Sequence, residues 1–181
     1  MAEDGSWEGI QRLGLLSTSA LLDRFEVGGA LRFRVESARR PEVEAVDHPG
    51  HGCALIRDNK PMRESVLERC LTGMSAHEWY ETLNREVFFW VDRKRLLKLL
   101  GARAYRDRPH LVLELDTAML LRRHAGDVTR SAINSGATFA MNPAPAVPAP
   151  SAASRTIRRT GPSSSSPWTT PSPVPPASPP A

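Results

Sequence analysis

Proline is concentrated at the carboxyl-terminal end of this 181-residue chain, where 12 of the 16 prolines lie at or after Pro143. Most residues between those prolines are Ala, Ser and Thr. A segment of this composition lacks the apolar side chains that offset the entropy lost on ordering. We therefore expect one folded domain over residues 1–142, followed by a disordered Pro/Ser-rich tail over residues 143–181.

The tail also admits a second interpretation, in which the reading frame has shifted after Phe139. Back-translation from Pro162 with GC-rich codons, read from the third base, yields the alternating sequence Val-Val-Glu-Leu-Thr-Val-Asp. That sequence is typical of a strand bearing a glutamate. An authentic Pro/Ser-rich tail is the alternative.

Charge separates the same two regions. All 20 acidic residues and all but three of the 24 basic residues precede Pro143, so the body is nearly neutral and the net charge of +4 comes mostly from Arg155, Arg158 and Arg159. A nearly neutral body gives little support to nucleic-acid binding. The stretch "DRKRLLKLLGARAYRDR" is basic, and either a nucleic-acid contact or a solvated helix face accounts for it.

Nothing in the sequence predicts a membrane partner or export. No run approaches the roughly 18 apolar residues of a membrane span, and "MAEDGSWEGI" has no apolar signal core. Cys53 and Cys70 suggest reduced thiols, or simply small buried side chains. We expect a cytoplasmic protein.

Helix and strand signals alternate along the body, which predicts an α+β or α/β domain, and we adopt α+β. Helices are predicted at Trp7–Gly14, at "STSALLDRF" with Ser17 or Thr18 as its cap, at "MRESVLERCL", after the capping box "SAHE", from Asp92 to Gly101, and after Asp116 or Thr117. Strands are predicted at "CALIRD", at Glu86–Val91 and at His110–Asp116, because apolar, β-branched and aromatic residues dominate them. Residues 26–50 are ambiguous.

Three loops carry side chains that could bind a ligand. "HPGHGC" holds His48, His51 and Cys53, three of the four ligands that a structural zinc site needs, so we expect no metal and interpret it as a polar loop that could line a cleft. "RDNKPM" brings Arg57, Asn59 and Lys60 to the end of a strand, either as a phosphate-binding loop or as a solvated turn.

The third loop, "RSAINSGATF", includes Asn134 among small polar residues. It could form a backbone nest for a phosphate, or an ordinary polar turn. No Gly-Lys-Ser/Thr follows, so it is not a Walker loop.

Four stretches together resemble an uncharacterised bacterial domain family over about residues 2–139. They are "SWEGIQRLGLLSTSALLD", "HGCALIRDNKPM", "EWYETLNREVFFWVDRKRLLKLLGARAYRDRPHLVLELDT" and "INSGAT". This resemblance is specific for the family and implies no established activity.

The order of "GLLS", a basic residue before Pro-Met, "VFFWVD" and "LVLELD" more remotely resembles the ADP-ribosyltransferase-like fold, in particular DarT toxins, with RNA 2′-phosphotransferases sharing the plan. The resemblance implies a split sheet with flanking helices that binds NAD in a cleft. It also implies an arginine on the pyrophosphate, a late glutamate, and a histidine before the first helix.

The chain departs from that pattern at three positions. Lys60 stands directly before Pro61, with Arg57 three residues earlier, and lysine lacks the bidentate fork. The histidine would lie upstream of Met1, which we interpret as an internal methionine taken as the start, and the glutamate strand is missing. We therefore expect an inactive ADP-ribosyltransferase-like protein in which Arg57, Asn59 and Lys60 hold phosphate and His51 and Asn134 line the cleft. The acceptor, nucleic acid or protein, is unknown, and the alternative is a non-catalytic interaction or immunity-type protein.

Overall fold

The computed structural model describes residues 1–59 and 63–129, which form helices and short antiparallel strands and confirm the α+β class. The helices are α1 (Trp7–Leu13), α2 (Thr18–Arg24), α3 (Gly29–Glu36), α4 (Glu64–Cys70), α5 (Ala76–Asn84), α6 (Arg93–Leu100) and α7 (Thr117–His124). The strands are β1 (Ala2–Glu3), β2 (Glu44–His48), β3 (Gly52–Ile56) and β4 (His110–Leu111).

The strands pair as two separate two-stranded sheets. Strands β2 and β3 form an antiparallel hairpin in which Glu44 faces Ile56 and His48 faces Gly52. Gly52 has a φ of 73°, a left-handed conformation that favours glycine where the chain re-enters the hairpin. Strands β1 and β4 pair antiparallel, with Ala2 opposite Leu111. This second pairing attaches the amino-terminal residues to a much later part of the chain.

Two of the predicted strands are corrected by the structure. Glu86–Val91 forms neither a helix nor a strand, and only His110–Leu111 of the predicted strand His110–Asp116 pairs with another strand. Strand propensity is expressed where a neighbouring backbone completes the ladder, and none of the described strands pairs with Glu86–Val91. The described strands therefore do not include the sheet that the ADP-ribosyltransferase resemblance implies at this segment.

The four helix starts that were predicted with a capping residue are confirmed. The Ser17 hydroxyl accepts from the Ala20 amide at 3.2 Å and begins α2, and Ser75 and Glu78 form the capping box of α5. Asp92 caps α6, and Asp116 caps α7. At these positions the helix start depends on a side chain a few residues from the amide it bonds, so the sequence alone specifies it.

The apolar core consists of two clusters. One joins α2, α3 and the hairpin through buried Leu22, Phe25, Val35, Val46 and Ile56. The other joins α4 and α5 through buried Leu67, Trp79 and Tyr80. The ambiguous residues 26–50 thus contribute α3, β2 and two of the core side chains.

Arg40 is a buried cation that ties the two halves of this core together. Its guanidinium donates to the carbonyls of Val35 and Arg57 and to Asn84 Oδ1. Desolvation lowers the pKa of Arg40 to about 10, so the group still carries its charge at neutral pH. Its charge and all three of these hydrogen bonds are therefore part of the folded state.

No helix in the described part of the chain is long and apolar enough to cross a bilayer. The predicted tail over residues 143–181 lies outside the described residues.

Candidate functional site

A cleft of about 360 Å³ lies between α1, the hairpin strand β3 and the two segments 86–89 and 113–115. Its size is within the range of small-molecule sites, about 300–1,000 Å³. The apolar side chains on its wall include Ile10, Leu13, Leu16, Leu21, Phe25, Leu55, Val87, Phe89, Leu113 and Leu115. An occupant must therefore present a substantial apolar or aromatic surface.

Residues 112–115 form their part of the wall in the manner of a strand. Leu113 and Leu115 are half-buried against the cleft, whereas Val112 and Glu114 point outward and are exposed. This period of two continues directly from β4. Residues 112–115 thus show the side-chain alternation of the strand predicted at this position, but the backbone pairing stops at Leu111.

Arg57 is a cationic side chain on the cleft wall. It follows β3, and its Nε lies 3.0 Å from Glu3 Oε1. Its guanidinium carbon lies 4.9 Å from the centre of the Tyr105 ring, which is a cation–π distance. Both contacts fix the guanidinium at the open end of the hairpin, so its position depends on β1 and on the loop before β4.

Buried carboxylates balance the arginines at this end of the cleft. Arg108 Nη2 lies 2.9 Å from Glu3 Oε2, and Arg108 Nη1 lies 3.2 Å from Asp58 Oδ2. Glu3 and Asp58 are both buried. Arg57 and Arg108 thus oppose Glu3 and Asp58, and the four formal charges cancel. An anionic ligand has to compete with Glu3 for Arg57.

His51 lines the same cleft from the turn of the hairpin. Its ring stacks on His48 with centroids 4.5 Å apart and packs at 5.6 Å against Phe25. Desolvation, with His48 and the nearby arginines Arg24 and Arg12, lowers the pKa of His51. The imidazole is therefore neutral at pH 7, and it offers one donor and one acceptor rather than a charge.

The histidine and cysteine side chains of this loop do not form a metal site with their described neighbours. Within residues 1–59 and 63–129, no three His, Cys, Asp or Glu side chains converge as metal ligands. Cys53 is exposed on the cleft wall. A hydrogen bond with Asp47 raises the pKa of the Cys53 thiol, so at neutral pH it is a thiol and a weak nucleophile.

The structure brings two of the five predicted ligand residues, Arg57 and His51, to one cleft. Asn59 does not line it. The backbone N–H of Asn59 donates to the Arg40 carbonyl at 2.8 Å, and the backbone N–H of Arg40 donates to Asn59 Oδ1 at 2.6 Å. These bonds hold the loop against Arg40. Lys60 and Asn134 lie outside the described residues.

Sequence reasoning missed Glu3, Tyr105 and Arg108 as neighbours of Arg57. Glu3 stands in an acidic stretch that looks solvated, and Arg108 stands in a basic stretch with the same appearance. No local pattern distinguishes them, because their contacts span up to 105 residues of sequence.

Comparison with known proteins gives a family and no activity. No curated protein sequence and no solved structure matches the chain. The sequence profile described as "Family of unknown function (DUF7002)" matches residues 1–153. That match covers the described domain and most of the chain, so the chain belongs to the DUF7002 family.

Proposed function

We propose that this protein binds a dinucleotide of the NAD type in the cleft, as a binding domain with no catalytic role assigned to any residue. The observation that supports the proposal is the placement of the Arg57 guanidinium on the wall of a cleft whose other surfaces are mainly apolar. An adenine or nicotinamide ring suits the apolar walls. A pyrophosphate suits a guanidinium, which can offer two parallel N–H donors.

Arg57 can hold an anion and keep part of its contact with Glu3. The ion pair with Glu3 uses Nε, and a guanidinium carries further N–H donors on its two Nη atoms. Arg108 also neutralises Glu3 at 2.9 Å, so Glu3 keeps a partner when Arg57 turns toward a ligand. Because the local charges cancel, we expect moderate affinity that decreases as salt rises.

Opposite effects of two substitutions in one ion pair test the proposal. Arg57→Gln and Glu3→Gln both break the Arg57–Glu3 contact, so a purely structural role predicts the same direction of change for both. A binding role predicts that Arg57→Gln weakens NAD and ADP-ribose binding, whereas Glu3→Gln, which removes a competing anion, preserves or strengthens it. Nicotinamide riboside, which has no phosphate, should be insensitive to both substitutions.

The measurement is the melting temperature of the full chain during titration with each compound. A ligand at 100 times its Kd stabilises the folded state by about 2.7 kcal/mol. Arg34→Gln is the matched control, because Arg34 also forms an ion pair, with Glu44 at 3.2 Å, and does not line the cleft. Absence of any NAD-dependent or ADP-ribose-dependent shift in the unsubstituted protein contradicts the proposal.

Acidification supplies an independent check. Since the pKa of His51 is lowered, the imidazole gains its proton only below its usual range, near pH 6.5. Anion affinity should then rise as the pH falls through the His51 pKa, and His51→Gln should remove the increase. An increase that persists in the variant belongs to another group.

A non-catalytic interaction module is the second candidate function. It is favoured by the exposed apolar side chains Phe88, Phe89, Trp90 and Val91 beside the cleft, since contiguous exposed apolar surface marks interaction sites. The same titration separates the two candidates, because a module that binds only a protein gains no stability from NAD or ADP-ribose.

A further inference from the structure

Exposed apolar side chains of the described chain are concentrated in one short stretch. Five of its eleven exposed large apolar residues lie within residues 88–97, and they are Phe88, Phe89, Trp90, Val91 and Leu97. The most exposed of them is Val91, at 95%. A contiguous apolar surface is costly to hydrate, so this stretch has the character of an interaction surface.

Helix α6, which begins two residues after Val91, adds a group of cations to the same stretch. Its exposed basic residues are Arg93, Lys94, Arg95 and Lys98. None of these four forms an ion pair with a carboxylate of residues 1–59 or 63–129. By contrast, Arg32 and Arg34, the cations of α3, both pair with described carboxylates. The charges of α6 are therefore not neutralised by the described carboxylates and can attract an anionic partner.

Leu97 shows how closely the apolar and cationic side chains are mixed on α6. It is 56% exposed, and Arg93 and Lys94 precede it by four and three residues. Side chains at these spacings are neighbours on one face of a helix. The stems of lysine and arginine can lie along an apolar surface while their charged ends reach outward. A partner that fits this surface offers negative charge directly beside an apolar interior.

We propose that residues 88–98 dock on the surface of a membrane that contains anionic lipid. Trp90, Val91 and Leu97 enter the boundary between the headgroups and the acyl chains, and the cations of α6 contact the headgroups. A surface contact of this kind requires no membrane-spanning run of residues. The proposal also needs no bound nucleotide, so it stands or fails independently of NAD binding.

The exposed aliphatic side chains favour lipid over a nucleic acid as the partner. Bases stack on aromatic rings and on guanidinium planes, which gives Val91 and Leu97 no role. The acyl boundary of a membrane removes both from water. A nucleic acid also attracts a protein through many phosphate contacts, whereas the body of this chain is nearly neutral. A local cluster of four cations is enough for an anionic membrane.

Flotation of the full chain with lipid vesicles tests the proposal. The protein should float with vesicles of equal parts phosphatidylcholine and phosphatidylserine but not with vesicles of phosphatidylcholine alone, and added salt should release it. Lys94→Gln combined with Lys98→Gln should weaken the partitioning about 30-fold. The charge-matched control combines Arg24→Gln with Arg69→Gln, at exposed positions of α2 and α4, and should leave the partitioning nearly unchanged.

Two further variants separate the apolar contact and the tail from the charge of α6. Val91→Ser should weaken the partitioning about tenfold, with no change in melting temperature, because the side chain is almost fully exposed in the folded protein. Arg155, Arg158 and Arg159 also attract anionic lipid, so the variant with all three changed to Gln should keep most of its partitioning.

Several outcomes contradict the proposal. Failure to float with the anionic vesicles, or equal flotation with both kinds, excludes an anionic membrane as the partner. Loss of binding only in the variant without the tail arginines assigns the binding to the tail. Binding of a single-stranded oligonucleotide in place of vesicles, weakened by Lys94→Gln with Lys98→Gln, assigns the surface to a nucleic acid. A dimer in sedimentation that Val91→Ser dissociates assigns it to a second copy of the chain.

Discussion

Residues 1–85 and residues 86–129 fold by the same local rules and differ in what they bury. Of the ten buried apolar residues of the described chain, nine lie before residue 86, and Tyr105 alone lies after it. Helices α6 and α7 each have an aspartate cap, yet neither contains a buried residue. Local signals thus determine where a helix begins, whereas burial depends on a partner from elsewhere in the chain.

Arg40 and the basic residues of α6 show the same contrast. In the first region Arg40 is buried and donates to three acceptors on three different parts of the chain. In the second region the basic residues of α6 are exposed. A buried cation with several hydrogen bonds is part of the core, and an exposed one mainly contributes solubility and charge.

The largest effect is expected from Arg40→Met. The substitution leaves the carbonyls of Val35 and Arg57 and the amide oxygen of Asn84 without their donor. An unsatisfied buried polar group costs about 1–3 kcal/mol, so the loss of unfolding free energy should be about 3–5 kcal/mol after the relief of burying a charge.

Urea unfolding of the full chain measures that loss. Arg34→Met is the control, because its ion pair with Glu44 is exposed on the arginine side and such pairs contribute about 0–1 kcal/mol. Equal losses for the two variants would contradict the assignment of Arg40 to the core.

A leucine truncation in each region gives the next largest difference. Leu22 is fully buried and Leu97 is 56% exposed. Leu22→Ala should cost about 2–5 kcal/mol through lost transfer energy and the cavity left behind. Leu97→Ala should cost within about 0.5 kcal/mol, as surface substitutions do. A large loss on Leu97→Ala would mean that α6 packs against residues outside the described part.

Most local structure of the first region could be predicted from the sequence. Ser17, the Ser75–Glu78 box and the strand at "CALIRD" are specified by neighbours within a few residues, and the structure confirms each one. Leu67 and Cys70 lie in the helix predicted at "MRESVLERCL", and both are buried in α4. Short-range rules succeed here because the region also supplies its own packing partners.

The wrong strand at Glu86–Val91 shows where such rules stop. Its β-branched and aromatic composition favours a strand, but a strand forms only where a second strand pairs with it, and none of the described strands does so. For the same reason, only some of the cleft residues could be predicted from the sequence. Arg57 and His51 belong to loops with a recognisable polar pattern, whereas the pairing of Glu3 with Arg108 joins residues 105 positions apart.

Removal of the α5 cap should have a smaller effect. Ser75→Ala deletes the hydroxyl that accepts from the Glu78 amide at 3.3 Å and donates to the Glu78 carboxylate at 2.8 Å. The expected loss is about 1 kcal/mol in urea unfolding, because α5 carries the buried Trp79 and Tyr80 and cannot fray without exposing them.

The loss should depend on pH. The backbone N–H of Ser75, together with its hydroxyl, lowers the pKa of Glu78, so the folded state binds fewer protons than the unfolded state in the acidic window just below the usual carboxyl pKa. This contribution is present above that value and disappears as the pH falls through the folded pKa. Ser75→Ala keeps the backbone N–H and removes only the share of the hydroxyl, so its stability should come closer to that of the unsubstituted protein on acidification without becoming equal to it. A constant difference from pH 7 to pH 3 would contradict this origin of the loss.

The smallest effect is expected from Asp92→Ala, which removes the corresponding cap of α6. Asp92 Oδ1 accepts from the Lys94 amide at 2.8 Å, so the local chemistry is comparable to that of Ser75. Because α6 contains no buried residue, its first turn can open while the core stays intact. The urea transition should then move by less than about 0.5 kcal/mol, while hydrogen exchange at Lys94–Leu97 becomes faster. If Asp92→Ala lowers the global stability as much as Ser75→Ala does, α6 unfolds together with the core, and the division of the molecule at residue 86 is wrong.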